Sequence, residues 1–141
     1  MDAPALATLH ARCFTTPRPW SAAEFASLLA DTHCFLLTAP QAFLLGRVIA
    51  DEAELLSLAV APEARRQGLA TRLLAGFAEA SQTRGAERAF LEVAAGNLAA
   101  QALYARDGWQ PGGRRKAYYR SPGGGAEDAL VLWRSLGPPG F

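Results

Sequence analysis

Between Glu54 and Ala94 the chain writes a strand, a helix and a second strand in succession, and this unit constrains the fold more than any other feature. Glu54 to Val60 is strand-like and Pro62 marks a loop. A helix is predicted from about Arg66 to Arg84, with Leu69, Leu73, Phe77 and Ala80 on one face. Gly85 stops it as a C-terminal cap, and Phe90 to Ala94 reads as a buried strand. Two strands joined through a helix lie parallel in one sheet.

The flanking segments predict a mixed sheet around that pair. Asp2 and Pro4 open a helix carrying Leu6, Leu9 and Cys13, which Pro17 and Pro19 interrupt. Ser21 and Glu24 have capping-box spacing, and Trp20 and Phe25 sit where a hydrophobic staple would close, so a short helix is expected from Ala22 to about Ala30. Cys34–Thr38 and Phe43–Ile49 read as strands around a Pro40-Gln41 turn, with Asp51-Glu52 turning into the third. Gly96-Asn97 opens another helix, ending near Gly108. Trp109 begins a strand region that Gly112-Gly113 interrupts and Tyr118-Tyr119 resumes. Ser121 to Gly125 reads as a flexible loop, Asp128 to Trp133 as the last strand, and residues 137–141 as a loose tail after a single domain spanning 1–136.

Composition narrows the class. In 141 residues, half of them hydrophobic, one core forms without a metal or disulfide staple. A net charge of +1 gives no global field for a membrane or nucleic acid, and neither is expected as a direct partner. All the basic residues but Lys116 are arginine, which fits either compositional bias or bidentate anion binding. Two cysteines and no basic, then apolar, leader point to free thiols in the cytoplasm, and no window reaches the ~20 apolar residues of a membrane span. His10-x-x-Cys13 with His33-Cys34 matches no common zinc spacing, so no metal site is expected.

The chemistry is carried first by Val60 to Ala70. A strand ends, a short loop turns, and a helix begins on an Arg-x-x-Gly-x-Ala pattern. Helix starts offer unpaired N–H groups and a positive dipole end; Gly68 admits a ligand close to the backbone, and Ala70 keeps the first turn free of bulk. Such a site suits a pyrophosphate. No Gly-Lys-Ser/Thr follows, so it is not a P-loop, and Gly68 stands alone, so it is not a dinucleotide fingerprint. An ordinary helix start with solvated arginines fits the same six residues.

A second block runs Leu91-Glu92-Val93, Gly96-Asn97 and Tyr104 to Trp109. Asn97 caps its helix, and Tyr104 lies about two turns further on the same side. Glu92 sits mid-strand and shares a face with Phe90 and Ala94, so it is either on a solvated surface or in a cleft where it suits general-base work. Arg114, Arg115, Lys116 and Arg120 cluster around Tyr118-Tyr119, either as a solvated surface or as a contact for phosphates, an acidic substrate or ribosomal RNA.

These blocks together resemble the GNAT acetyltransferases, in which Arg/Gln-x-x-Gly-x-Gly/Ala cradles the pyrophosphate of acetyl-CoA. Pro19-Trp20-Ser21, Asp51 to Leu55, Leu91-Glu92-Val93, Asn97 with Tyr104, and Tyr118-Tyr119 followed by Glu127-Asp128-Ala129 sharpen the likeness to the ribosomal-protein alanine N-acetyltransferase (RimI) group. The resemblance implies an α/β (α+β) GNAT fold with a mixed, mostly antiparallel sheet, a splayed central parallel pair, and a first strand missing or vestigial. It implies acetyl-CoA held by Leu58, Ala59, Val60, Arg65, Arg66, Gln67, Gly68, Leu69, Ala70, Asn97 and Tyr104. It implies Glu92 as base and Tyr104 as acid, with Trp20, Glu54, Tyr118 and Tyr119 toward the substrate. The expected acceptor is a protein N-terminus, such as that of a ribosomal protein, and the expected state a monomer or weak homodimer. A small amine or amino acid as acceptor, or acyl-CoA binding without turnover, are the other readings.

Overall fold

The computed structural model describes residues 1–14, 18–120 and 125–137. Part of the expected loop, 121–124, and the tail residues 138–141 lie outside the described residues. The order is α1 (Ala3–Cys13), α2 (Ala22–Ala30), β1 (Cys34–Ala39), β2 (Ala42–Ile49), β3 (Glu52–Val60), a 3-10 turn at Pro62–Ala64, α3 (Leu69–Thr83), β4 (Arg88–Ala94), α4 (Leu98–Arg106), β5 (Gln110–Arg120) and β6 (Ala126–Ser135). Among the described residues α1 is the first element and the outer edge of β1 is unpaired.

Local chemistry sets the helix ends. Asp2 caps α1 by accepting from the Ala5 N–H at 3.0 Å. At α2 both halves of the capping box form, and the Trp20 and Phe25 rings close over it at 5.4 Å. Arg18 and the Ser21 amide hold the Glu24 carboxyl down at about 2. Asn97 caps α4 through the Ala100 N–H at 3.1 Å.

Six strands form one sheet in the order β1-β2-β3-β4-β6-β5, and only β3 and β4 run parallel. One core lies on the α3 and α4 face, around Leu55, Leu74, Phe77, Leu91 and Trp109. A second lies on the α1 and α2 face, around Leu6, Phe25, Phe43, Leu45 and Ala59. Burying each large side chain contributes about 1.5–3 kcal/mol.

A bulge in β3 shapes everything that follows. Leu45 pairs with Ser57 and Gly46 with Leu55, leaving Leu56 as the extra residue. Ala53 and Leu55 therefore belong to the α3-side core, whereas Ala59, of the same parity, belongs to the α1-side core. The strand turns at that point. Its parallel ladder with β4 ends at Glu54↔Phe90, and the two strands part beyond it.

Several expected boundaries shift: β3 begins at Glu52, inside the expected Asp51-Glu52 turn, β4 at Arg88 rather than Phe90, and β6 runs from Ala126 to Ser135 rather than from Asp128 to Trp133. Helix α3 begins at Leu69 rather than near Arg66, because Arg66 (φ 63°) and Gly68 (φ 78°) take left-handed backbone that a right-handed helix cannot include. It closes at Thr83, one residue before the expected Arg84. The region around Gly112-Gly113 does not break β5. Gly112 is a bulged residue inside a continuous strand, and a Cβ there would strike the Trp133 ring.

Candidate active site

The opening between β3 and β4 leads into a cavity of about 700 Å³ bounded by the C-terminal half of β3, the loop into α3, α4 and the end of α1. The loop residues Arg65, Arg66 and Gly68 and the first α3 residues Leu69 and Ala70 line it, as do Leu58, Ala59, Val60, Asn97 and Tyr104. Ten of the eleven positions assigned to the cofactor on sequence thus converge; Gln67 is not among the lining residues. A Cβ built on Gly68 meets no heavy atom within 4 Å, so the space above that backbone is open.

The backbone of β3 presents donors to the same opening. The Ala61 N–H bonds the Gln41 carbonyl beside β2 at 2.9 Å. Alternation along an extended strand then turns the N–H groups of Val60 and Leu58 to the opposite edge, into the splay. The Val60 carbonyl on that edge accepts from Arg65 Nε at 3.0 Å and from Cys13 Sγ at 3.4 Å, which fixes the strand end.

Tyr104 and Glu92 approach from opposite faces of the sheet. Tyr104 projects from α4, is 7% exposed, and meets the Trp109 ring edge-on at 6.0 Å. Burial pushes its phenol well above the ordinary range, so it holds its proton at neutral pH. Glu92 shares its face of β4 with Phe90, away from the Leu91 and Val93 that enter the α3-side core. Its side chain is 16% exposed and pairs with Arg115 Nε at 2.9 Å, so it is half-buried beneath an ion pair.

A shift in the β5 register builds the far wall. Arg115 pairs with Ala129 and Tyr119 with Glu127, leaving three residues opposite one. Asp128 holds that bulge, accepting from the Ala117 N–H at 2.7 Å and pairing with Arg114. Tyr118 stands 50% exposed beside Tyr119, their rings 5.2 Å apart. The Glu92 charge raises the Tyr118 phenol; burial, then the Glu92 charge, raises that of Tyr119. Glu127 reaches back over the β4–α4 loop to accept from the Gly96 N–H.

Two residues assigned to the substrate have other contacts as well. Trp20 stacks on His10 at 5.0 Å, and its backbone N–H donates to His10 Nδ1 at 3.1 Å. Glu54 pairs with Arg47 across β2 and β3. Of the basic cluster, Arg114 and Arg115 are ion-paired, and the Arg120 side chain lies outside the described residues. His10, Cys13, His33 and Cys34 form no metal-binding group among the described residues. Sequence reasoning missed Cys13 and Phe14, which enter from the end of α1, and Arg106. Only Arg106 left a trace: it continues the helical stripe Ala99–Leu103.

The family profile described as acetyltransferase (GNAT) family matches residues 3–109. The chain belongs to the GNAT acetyltransferase family. It is 38% identical over 118 residues to the [ribosomal protein bS18]-alanine N-acetyltransferase of Escherichia coli K12, covering 81% of this chain and 79% of that protein. It is 33% identical over 147 aligned positions to the N-alpha-acetyltransferase RimI of Mycobacterium tuberculosis, covering 98% and 89%. The crystal structure of the E. coli ribosomal-protein-S18-alanine N-acetyltransferase superposes with a TM-score of 0.85 at 34% identity, covering 98% of this chain and 90% of that one. This GNAT acetyltransferase has no helix, among its described residues, long and apolar enough to cross a membrane.

Proposed function

We propose that this GNAT acetyltransferase transfers the acetyl group of acetyl-CoA to the α-amine of a protein N-terminus, of the ribosomal-protein alanine type, in the cytoplasm. The observation that carries the reading is the reach of the likeness. Relatives named for alanine N-acetylation match over most of the chain, and the E. coli structure, superposing over 98% of it, takes in the β5–β6 segment that builds the wall around Glu92 and contributes nothing to the cofactor cavity.

The cavity fits acetyl-CoA. Its open left-handed turn and helix start suit a pyrophosphate, and its apolar wall of Leu58, Val60 and Leu103 suits a slender thioester arm. Acetyl-CoA supplies the activated acetyl group. One of the two free N–H groups, that of Leu58 or that of Val60, stabilises the carbonyl oxygen as negative charge gathers on it, since the pair stand about two strand residues apart, too far to share one oxygen. Glu92, directly or through one water, takes the proton of the substrate ammonium, which requires its pair with Arg115 to open. The free amine forms the C–N bond, the C–S bond breaks, and the second nitrogen proton, lost as the amide forms, passes to water. Tyr104, protonated because it is buried, gives its proton to the departing sulfur. The chemistry needs neither a metal nor a covalent enzyme intermediate.

Aromatic walls at Tyr118 and Tyr119 favour a small first side chain. The test is steady-state kinetics on peptides differing only in their first residue, with a polyamine alongside. The reading expects kcat/KM for Ala or Ser to exceed that for Phe or Trp by at least about tenfold. Equal values, or faster turnover of the polyamine, would return the acceptor to a small amine.

A further inference from the structure

The arginines are not spread evenly between paired and unpaired states. Arg12, Arg18, Arg47, Arg88, Arg114, Arg115 and Arg134 each contact a carboxylate. Among the described residues, Arg65, Arg66, Arg72, Arg84 and Arg106 form no such pair. Arg84 covers the Phe35 ring and bonds the Ala80 carbonyl. Three of the other four, Arg65, Arg66 and Arg106, line the same cavity.

Arg65 is committed to the Val60 carbonyl. The guanidinium groups of Arg66 and Arg106 have no hydrogen-bond partner among the described residues, and both residues are exposed where they line the cavity. They come from different walls. Arg66 sits in the left-handed turn before α3, and Arg106 is the last residue of α4, on the stripe that begins at Ala99. A helix end that gathers backbone N–H groups offers roughly half a positive charge, enough to orient one pyrophosphate. Two further guanidinium groups, from two elements that line one cavity, exceed that need and match a second, doubly charged phosphate.

We propose that Arg66 and Arg106 recognise the 3′-phosphate of the CoA nucleotide, so that this protein discriminates CoA from 3′-dephospho-CoA. The inference rests on the acyl-CoA reading of the cavity and adds to it which anionic group the rim selects. A basic last turn also suits the dipole of α4 itself, but that effect is indifferent to the nucleotide bound.

The experiment is isothermal titration of the full chain with CoA and with 3′-dephospho-CoA. It uses the parent, Arg106→Met, Arg106→Lys and Arg66→Met at two salt concentrations. The expected parent binds CoA about tenfold or more tighter than 3′-dephospho-CoA, with the ratio shrinking as salt rises. Arg106→Met brings the ratio toward one by weakening CoA alone, Arg106→Lys restores part of it, and Arg66→Met lowers it. A parent ratio of one, or a ratio that survives both methionine substitutions, overturns the proposal while leaving the CoA site intact. A parent that binds neither nucleotide overturns the acyl-CoA reading itself.

Discussion

Gly68 separates the ligand-binding meaning of the β3–α3 turn from its structural one. Its φ of 78° is left-handed, and an added Cβ meets no protein atom within 4 Å. Gly68→Ala therefore costs the fold only the backbone preference of an L-residue, about 1–2 kcal/mol. With an unfolding entropy of about 2.1 cal/mol/K per residue over 141 residues, that loss lowers Tm by about 3–7 °C. The methyl group then stands in open space on the cavity wall, so its steric effect falls on the ligand. CoA affinity should drop by about tenfold or more, equivalent to at least about 1.4 kcal/mol. Gly85 is a matched control: its φ is 91°, its Cβ also meets nothing within 4 Å, and it lies outside the cavity lining. Gly85→Ala should show the same Tm loss with parental CoA affinity. Thermal melts and calorimetric titration of both variants read the two effects separately. If Gly68→Ala binds CoA as tightly as Gly85→Ala does, the turn is only a helix start and the anion-site reasoning fails.

Glu92→Gln keeps the shape of the side chain but accepts no proton; kcat should fall by about 10²–10⁴ with CoA affinity nearly unchanged, and higher pH should recover part of the rate. A parental rate at pH 7 would remove Glu92 from the reaction. His10 is 2% exposed among Phe14, Trp20, Phe25 and Phe43, and desolvation lowers its pKa to about 4, against a smaller opposing effect of Glu24. The unfolded chain, with His10 near 6.5, binds the proton first, so its contribution is intact above pH 6.5 and is lost as pH falls toward 4. Urea melts should show about 2 kcal/mol less stability at pH 5 than at pH 7 from this residue, a difference that His10→Gln should flatten. Ser81 is fully buried on α3 and its Oγ has no partner among the described residues. Ser81→Ala should stabilise the fold by about 1 kcal/mol in thermal melts, and a loss of stability instead would mean that the hydroxyl is bonded.

The helices and most strands were legible because their signals are local. The Ser21–Glu24 box, the Asn97 cap and the apolar stripe from Leu69 to Phe77 each need only a few neighbouring residues to read. The Arg-x-x-Gly-x-Ala pattern placed the cavity for the same reason. What lay hidden depends on pairing between distant segments. Leu56 looks like any other apolar strand residue, yet as the bulge it turns β3 and opens the splay. The pair between Glu92 and Arg115 depends on a register shift that no periodicity encodes. The start of α3 is not legible because arginine carries no sequence sign of left-handed backbone, although Arg66 adopts it. Cys13 and Phe14 reach the cavity only because α1 packs across the sheet face at Ala59.

The central claim is that the acceptor is an α-amine at a chain start. A peptide N-terminus has a pKa near 8, against about 10.4 for a lysine side chain, so one carboxylate base at Glu92 meets far more neutral α-amine at pH 7. The direct measurement gives the enzyme acetyl-CoA with two peptides that begin with Ala and carry an internal lysine, one with a free and one with a blocked N-terminus, and locates the added mass by fragmentation. The account predicts acetylation on the α-amine of the free peptide and none on the blocked one. Acetyl-lysine in both peptides at comparable rates would contradict it.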